Sequence, residues 1–129
     1  MSFIRAYSIG LLLLVCAFVL GCGGFLAGAK TAYHEGRYLE AAEDLGEHER
    51  EVRDLPPESQ AEYGLYRGLS LIKLQDYQGA MQWLGYAIDI EKKNPGALKA
   101  EQKAELEQNF AQVKKTLESP AQPDAQPKP

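Results

Sequence analysis

Cysteine is almost absent from this chain of 129 residues. Its only two cysteines, Cys16 and Cys22, both lie in the apolar N-terminal stretch. Residues 23–129 can therefore form neither a disulfide nor a thiolate metal site. The two histidines, His34 and His48, belong to no H-E-x-x-H motif. We expect the folded part of the chain to be held together by packing alone.

An excess of positive charge is also missing. The chain has 14 Lys and Arg against 18 Asp and Glu, and both signs are interspersed. Without a basic face, the main source of affinity for a phosphate backbone is absent, so we predict no nucleic-acid partner. The run Gly21–Gly24 lacks the Lys-Ser/Thr ending of a phosphate loop, and no serine lies in a nucleophile motif. The sequence thus predicts no enzyme, no cofactor and no small-molecule substrate.

Three acidic residues and a histidine form a cluster on one predicted helix. Glu43, Asp44, Glu47 and His48 fall within about one and a half turns of a predicted helix and could hold a cation weakly. Such clusters are far more often a solvated helix face, so we predict no metal site. A weak metal-binding or accessory function remains an alternative.

The N-terminus has the three parts of a secretory signal. A short segment with Arg5 precedes an uncharged apolar run of twelve residues, Ile9–Leu20, and small residues follow. The run is too short to cross a bilayer as a helix, which needs about 20 residues. We therefore interpret residues 1–21 as a signal sequence.

The end of this signal resembles the bacterial lipobox. Val19-Leu20-Gly21-Cys22 has the aliphatic residue, the small residue and the cysteine of that motif, although Leu20 departs from the usual Ala or Ser. The resemblance implies cleavage before Cys22, a diacylglycerol on its thiol and acylation, for example by palmitate, of its new amino group. The residue after Cys22 is Gly23, whereas an aspartate at this position retains many lipoproteins in the inner membrane. The implied location is the outer membrane, facing the periplasm.

Two other outcomes stay open for the N-terminus. Ile9–Ala29 is uncharged and about long enough to remain as an uncleaved inner-membrane anchor, with the domain facing outward. Alternatively, Ala27-Gly28-Ala29 is an A-x-A site, and cleavage there would release a soluble periplasmic protein.

The remaining sequence predicts an all-α fold. Glycines and prolines separate stretches with helical periodicity, and no sustained period-two alternation competes. Asp76 is the predicted N-cap of one helix. Ser119–Pro129 has four prolines and no large apolar residue, which predicts a disordered tail. The predicted helices are Phe25–His34, Tyr38–Val52, Pro57–Leu74, Tyr77–Lys92 and Pro95–Glu118.

Two segments 39 residues apart share a pattern. Gly36–Ala41 matches Gln75–Ala80, with Tyr after a polar turn and Ala three positions later. The pattern resembles the tetratricopeptide repeat, a pair of antiparallel helices per unit. The resemblance implies two such units over residues 22–94 and a capping helix over residues 95–118. It also implies that Gly68, Ala80 and Ala87 allow close helix approach.

The same resemblance implies a function. The first helix of each unit would line a groove for a protein partner, and the alternative is that the last helix covers it. The chain would be a membrane-anchored adaptor or assembly factor of a bacterial envelope complex, such as secretion, pilus or motility machinery. A structural lipoprotein without a specific partner is a further alternative. Trp83 and Tyr86 lie off the inner stripe of their helix and are expected to be partly exposed. The predicted groove residues are Leu65, Leu69, Ile72, Lys73, Tyr33 and Lys30.

Overall fold

A computed structural model describes residues 24–119, and nearly all of this range is helical. No strand occurs in it, which confirms the all-α prediction. The predicted signal, Cys22 and residues 120–129 of the predicted tail lie outside the described range. The elements are α1 (Gly24–His34), α2 (Tyr38–Glu47), a 3-10 helix (Glu49–Asp54), α3 (Pro57–Lys73), α4 (Tyr77–Lys93) and α5 (Ala100–Glu118).

Side-chain contacts define the direction of α2 relative to α1. Phe25, near the start of α1, stacks on His48, just after the end of α2, with 4.2 Å between ring centroids. Tyr33, near the end of α1, meets Tyr38 at the start of α2, with 5.4 Å between centroids. The two helices are therefore antiparallel.

Helices α3 and α4 are antiparallel as well, and they approach very closely. A Cβ placed on Gly64 would lie 3.0 Å from the Cβ of Ala87, and one on Gly68 would lie 2.5 Å from a methyl carbon of Leu84. Gly64 and Gly68 are one turn apart on the face of α3 that meets α4. Small residues there let the two backbones pack without a gap.

Helix α1 runs parallel to α3. Lys30 pairs with Glu62, and the Tyr66 hydroxyl lies 3.4 Å from Nε2 of His34, both across 32 residues.

Helix α5 runs back along α4, because its Lys103 lies beside Glu91 and its Phe110 lies beside Gly85. The starts of α1, α3 and α5 therefore share one end of the fold, here called the Gly24 end. The opposite end contains the α1–α2 and α3–α4 turns and is called the Leu39 end.

The two turns at the Leu39 end have the same backbone geometry. Gly36 and Gln75 both have positive φ, +80° and +63°. The amide of the following residue donates to the carbonyl five positions earlier in each turn: Arg37 to Ala32 at 2.8 Å and Asp76 to Leu71 at 2.9 Å. This is the Schellman arrangement that ends many helices. The Asp76 carboxylate then accepts from the amide of Gly79 at 3.0 Å, which confirms the predicted N-cap.

The second predicted helix was too long. It ends at Glu47 rather than Val52, and a 3-10 helix continues to Asp54. The His48 ring is held by stacking on Phe25 and by a 2.8 Å contact between Nδ1 and the Asp44 carbonyl oxygen. The tighter 3-10 turn follows, and Val52 is buried in the core.

The last helix begins at Ala100, five residues after the predicted start at Pro95. Residues 94–99 form a turn instead, with Gly96 at φ +88°. The buried Glu91 carboxylate accepts from the amides of Gly96 and Leu98 at 2.9 and 2.8 Å. Leu98 is itself buried. The turn buries Leu98 and gives two amides a hydrogen-bond acceptor, and these contacts stabilise it more than an earlier helix start would.

The core is formed between these helices. The largest fully buried side chains in the described range are Tyr63, Leu45, Leu65, Leu84, Leu106, Val113 and Ser70.

Within residues 24–119, no helix combines the length and the apolar character needed to span a bilayer.

Candidate functional site

The apolar half of the predicted groove is inside the core. Leu65 is 0% exposed and Leu69 is 3% exposed, while Ile72 is half-buried. Only Lys73 of this group is fully at the surface. A partner could not contact Leu65 or Leu69 without displacing other parts of the chain, so the expected open apolar strip on α3 is absent from the structure.

The charged and aromatic groove residues do come together. Lys30 pairs with Glu62 and lies 5.6 Å from the centroid of the Tyr66 ring. Tyr33 packs against Tyr66 at 5.6 Å and against Tyr38. Burial raises the pKa of Tyr33, and the charge of Glu105 on α5 adds to the rise. Helix α5 contacts α3, but it makes no backbone contact with α1.

The side chains of the acidic cluster on α2 do not converge on one point. In the described range, no group of three or more His, Cys, Asp or Glu side chains converges to hold an ion. The His48 ring is instead stacked on Phe25.

A cleft of about 710 Å³ opens along the outer face of α4. Its walls come from the 3-10 helix on one side and from Phe110, in the middle of α5, on the other. We call it the Trp83 cleft. Half-buried apolar side chains of α4 and α5 form its floor: Met81, Trp83, Tyr86, Ile88 and Phe110.

Trp83 is held in place from two sides. The Arg67 guanidinium lies 4.2 Å from the Trp83 ring centroid, and the edge-on ring of Tyr63 is 5.3 Å away. Arg67 Nη1 in turn donates to Glu49 at 2.9 Å and to the Tyr63 hydroxyl at 2.8 Å. Burial raises the pKa of Tyr63 to about 12, so this hydroxyl keeps its proton. The indole is thus pre-positioned, which reduces the entropy that binding must overcome.

The neighbouring Tyr86 has a weaker polar attachment. Its hydroxyl donates to Oε1 of Gln60 at 3.4 Å, and Gln60 Nε2 donates to the Leu55 carbonyl at 2.8 Å. Burial raises the pKa of Tyr86, and the positive charge of Arg53 partly offsets this rise.

The rim of the Trp83 cleft is polar and exposed. Arg53, Gln82, Asp89 and Lys92 surround the aromatic floor. Among the described residues that line the cleft there is no histidine, cysteine or serine. An apolar floor with large aromatics and a mixed polar rim is the arrangement found at protein interfaces.

The sequence pointed to part of this site. Trp83 and Tyr86 were expected to be partly exposed, and the structure agrees. The contributions of Arg53 and Phe110 were missed because they depend on the 3-10 helix and on the packing of α5. No local feature of the sequence signalled either contribution.

Comparison with known proteins identifies no similar protein. No protein-family model matches the sequence, and no curated protein and no solved structure is significantly similar to it.

Proposed function

We propose that this chain is a membrane-anchored, protein-binding adaptor or assembly factor of a bacterial envelope complex, and that it binds its partner in the Trp83 cleft. The observation that carries the proposal is the pre-positioned Trp83 beside Tyr86 and Phe110 in an open cleft of about 710 Å³. This site replaces the predicted groove on α3, whose leucines are buried. Secretion, pilus or motility machinery is the class of complex that we propose.

We further propose that the fold consists of two tetratricopeptide-like units, α1–α2 and α3–α4, with α5 as a cap. Gly36 and Gln75 support this, because residues 39 positions apart adopt the same left-handed turn with the same hydrogen bonds. The parallel arrangement of α1 and α3 gives further support, since equivalent helices of stacked repeats lie side by side.

For the anchor, we propose lipidation at Cys22. Within the described residues α1 covers Gly24–His34, and its Leu26 and Ala29 are 7% and 0% exposed. Cleavage after Ala29 would remove this buried helix face. An uncleaved anchor would have to lie in residues 6–23, the uncharged stretch before α1, which at 18 residues is at the short end for a membrane span. Attachment at Cys22 leaves α1 intact.

The proposal can be tested by photo-crosslinking in cells. A benzophenone amino acid would replace Gln82 or Asp89 on the cleft rim and, as a matched control, the exposed Leu39 at the far end. We expect the same envelope protein to be crosslinked from positions 82 and 89 and not from 39, with its identity read by mass spectrometry.

Other outcomes point to the other functions. The absence of an adduct at both rim positions would favour a structural lipoprotein without a specific partner. A stoichiometric metal ion in the purified protein would favour the accessory or metal-binding alternative. Adducts at position 39 alone would move the interface to the Leu39 end.

A further inference from the structure

The start of α1 lies very close to the proposed lipid anchor. Gly24, the first residue of α1 that the structure describes, is two residues from Cys22 in the sequence. Two residues span at most about 7 Å, so an anchor at Cys22 holds the Gly24 end of the fold beside the bilayer. The inference below rests on this proposed lipidation.

The α4–α5 turn belongs to the same end. Gln60, in the first turn of α3, contacts Tyr86 in the second half of α4, so the start of α3 lies beside the later part of α4. Because α1 and α3 are parallel, the start of α1 shares this end with the turn at residues 94–99. A flat surface placed against Gly24 therefore faces this turn too.

The turn has an excess of exposed cations. Lys92, Lys93 and Lys99 are all exposed, and none of them forms an ion pair within the described residues. The nearby Glu91 points inward, with its carboxylate occupied by the amides of Gly96 and Leu98. At the opposite end, Arg37 is paired with two glutamates and Lys73 lies over the Tyr38 ring, while Lys114 and Lys115 are exposed.

We propose that the α4–α5 turn rests on negatively charged phospholipid headgroups, through Lys92, Lys93 and Lys99. Attraction of lysines to an anionic leaflet acts within about one Debye length, roughly 8 Å at physiological salt, and the short anchor keeps the end of the fold that contains this turn next to the bilayer. The contact orients the domain. The Leu39 end then points away from the bilayer by about the 25 Å length of α3, and the Trp83 cleft faces sideways.

The test uses the lipidated full-length protein, purified from membranes and reconstituted in vesicles of phosphatidylethanolamine and phosphatidylglycerol. Ala100→Cys and Leu39→Cys place single thiols at the two ends, since the Cys22 thiol is occupied by lipid. Each thiol carries a fluorophore, and a lipid with a spin-labelled headgroup is the quencher. We expect quenching at position 100 to be several times stronger than at position 39.

The role of the charges is tested by Lys92→Gln/Lys93→Gln in the Ala100→Cys background. Lys114→Gln/Lys115→Gln, near the other end, is the matched control. We expect the first pair, or neutral phosphatidylcholine vesicles, to reduce quenching at position 100, and the second pair to leave it unchanged. Equal quenching at both ends, or quenching that ignores charge, overturns the proposal.

Failure of the anchor gives a different result from failure of the orientation. Protein that no longer floats with vesicles and incorporates no fatty-acid label refutes lipidation, and this inference with it. Protein that floats but is quenched equally at both ends refutes the orientation alone. Protection of position 100 from an aqueous quencher, without quenching by lipid, would assign the turn to a protein partner and refute the membrane contact.

Discussion

At the scale of single residues, Gln75 has an unusual backbone conformation for a residue with a side chain. Its φ of +63° lies in the left-handed region, where Gly36 stands in the equivalent turn. A side chain in that region costs roughly 1–2 kcal/mol relative to glycine. The two turns therefore provide a natural pair for comparison.

Gln75→Gly should stabilise the fold. The strain energy that glycine removes from the folded state is larger than the entropy that the more flexible glycine adds to the unfolded chain. We therefore expect the free energy of unfolding to rise by about 0.5–1 kcal/mol. The reciprocal Gly36→Gln should lose a similar amount. Urea denaturation of both variants measures these differences, and a destabilised Gln75→Gly variant would show that this side chain makes a contact worth more than the strain.

Glu91 should make stability depend on acid pH. Hydrogen bonds from the amides of Leu98 and Gly96 hold the pKa of the Glu91 carboxyl below its ordinary value of 4.5. The unfolded chain therefore takes up the proton first as pH falls, and the stability present above pH 4.5 is lost as the pH drops through the lower, folded-state pKa.

Glu91→Gln removes this titration and weakens both hydrogen bonds, with an expected loss of about 1–2 kcal/mol at neutral pH. The difference from wild type should shrink in acid, as measured by melting at several pH values. The matched control is Asp89→Asn, which changes an exposed carboxylate two residues away to an amide without touching the hydrogen bonds of Glu91. A constant difference across the range would show that Glu91 does not titrate in this way.

At the scale of the elements, the contact between α3 and α4 depends on glycine. A Cβ on Gly64 would lie 2.8 Å from the backbone oxygen of Trp83, which cannot move aside without shifting α4. The same displacement would also disturb the Trp83 cleft on the outer face of α4. Tight packing here links the core to the candidate site.

Gly64→Ala should therefore destabilise the fold by about 1–2 kcal/mol, because overpacking outweighs the gain in helix propensity. Gly28→Ala is the matched control. Gly28 is also in a helix, but nothing lies within 4 Å of its added Cβ, so that variant should gain up to about 1 kcal/mol. Thermal melts that move in the same direction for both variants would contradict the close approach of α3 and α4.

At the scale of the whole molecule, α1 connects the proposed anchor to the core. Leu26 and Ala29 are buried, and Phe25 stacks on His48 beside the end of α2. Residues 24–29 thus contribute to the stability of the fold. This dependence separates lipidation at Cys22 from cleavage after Ala29.

A chain that begins at Lys30 should be less stable than one that begins at Gly23 by more than about 3 kcal/mol, since it lacks Leu26 and its neighbours in α1. Circular dichroism melts of the two forms measure this. In cells, Cys22→Ala should abolish incorporation of a fatty-acid analogue, whereas Cys16→Ala should not. Equal stability of the two forms would reopen cleavage after Ala29.

The sequence alone determined the helical class, the two turns at Gly36 and Gln75, and the N-cap Asp76. These features depend on local periodicity and on hydrogen bonds between residues close in the chain, which a sequence displays directly. The tertiary structure decided where α2 and α5 end or begin, because Val52 and Leu98 are buried by distant neighbours. It also decided the candidate site. Leu65 and Leu69 have the spacing of an exposed groove, but whether an apolar strip is open or covered depends on the packing of other helices, and that packing leaves the aromatic face of α4 open instead.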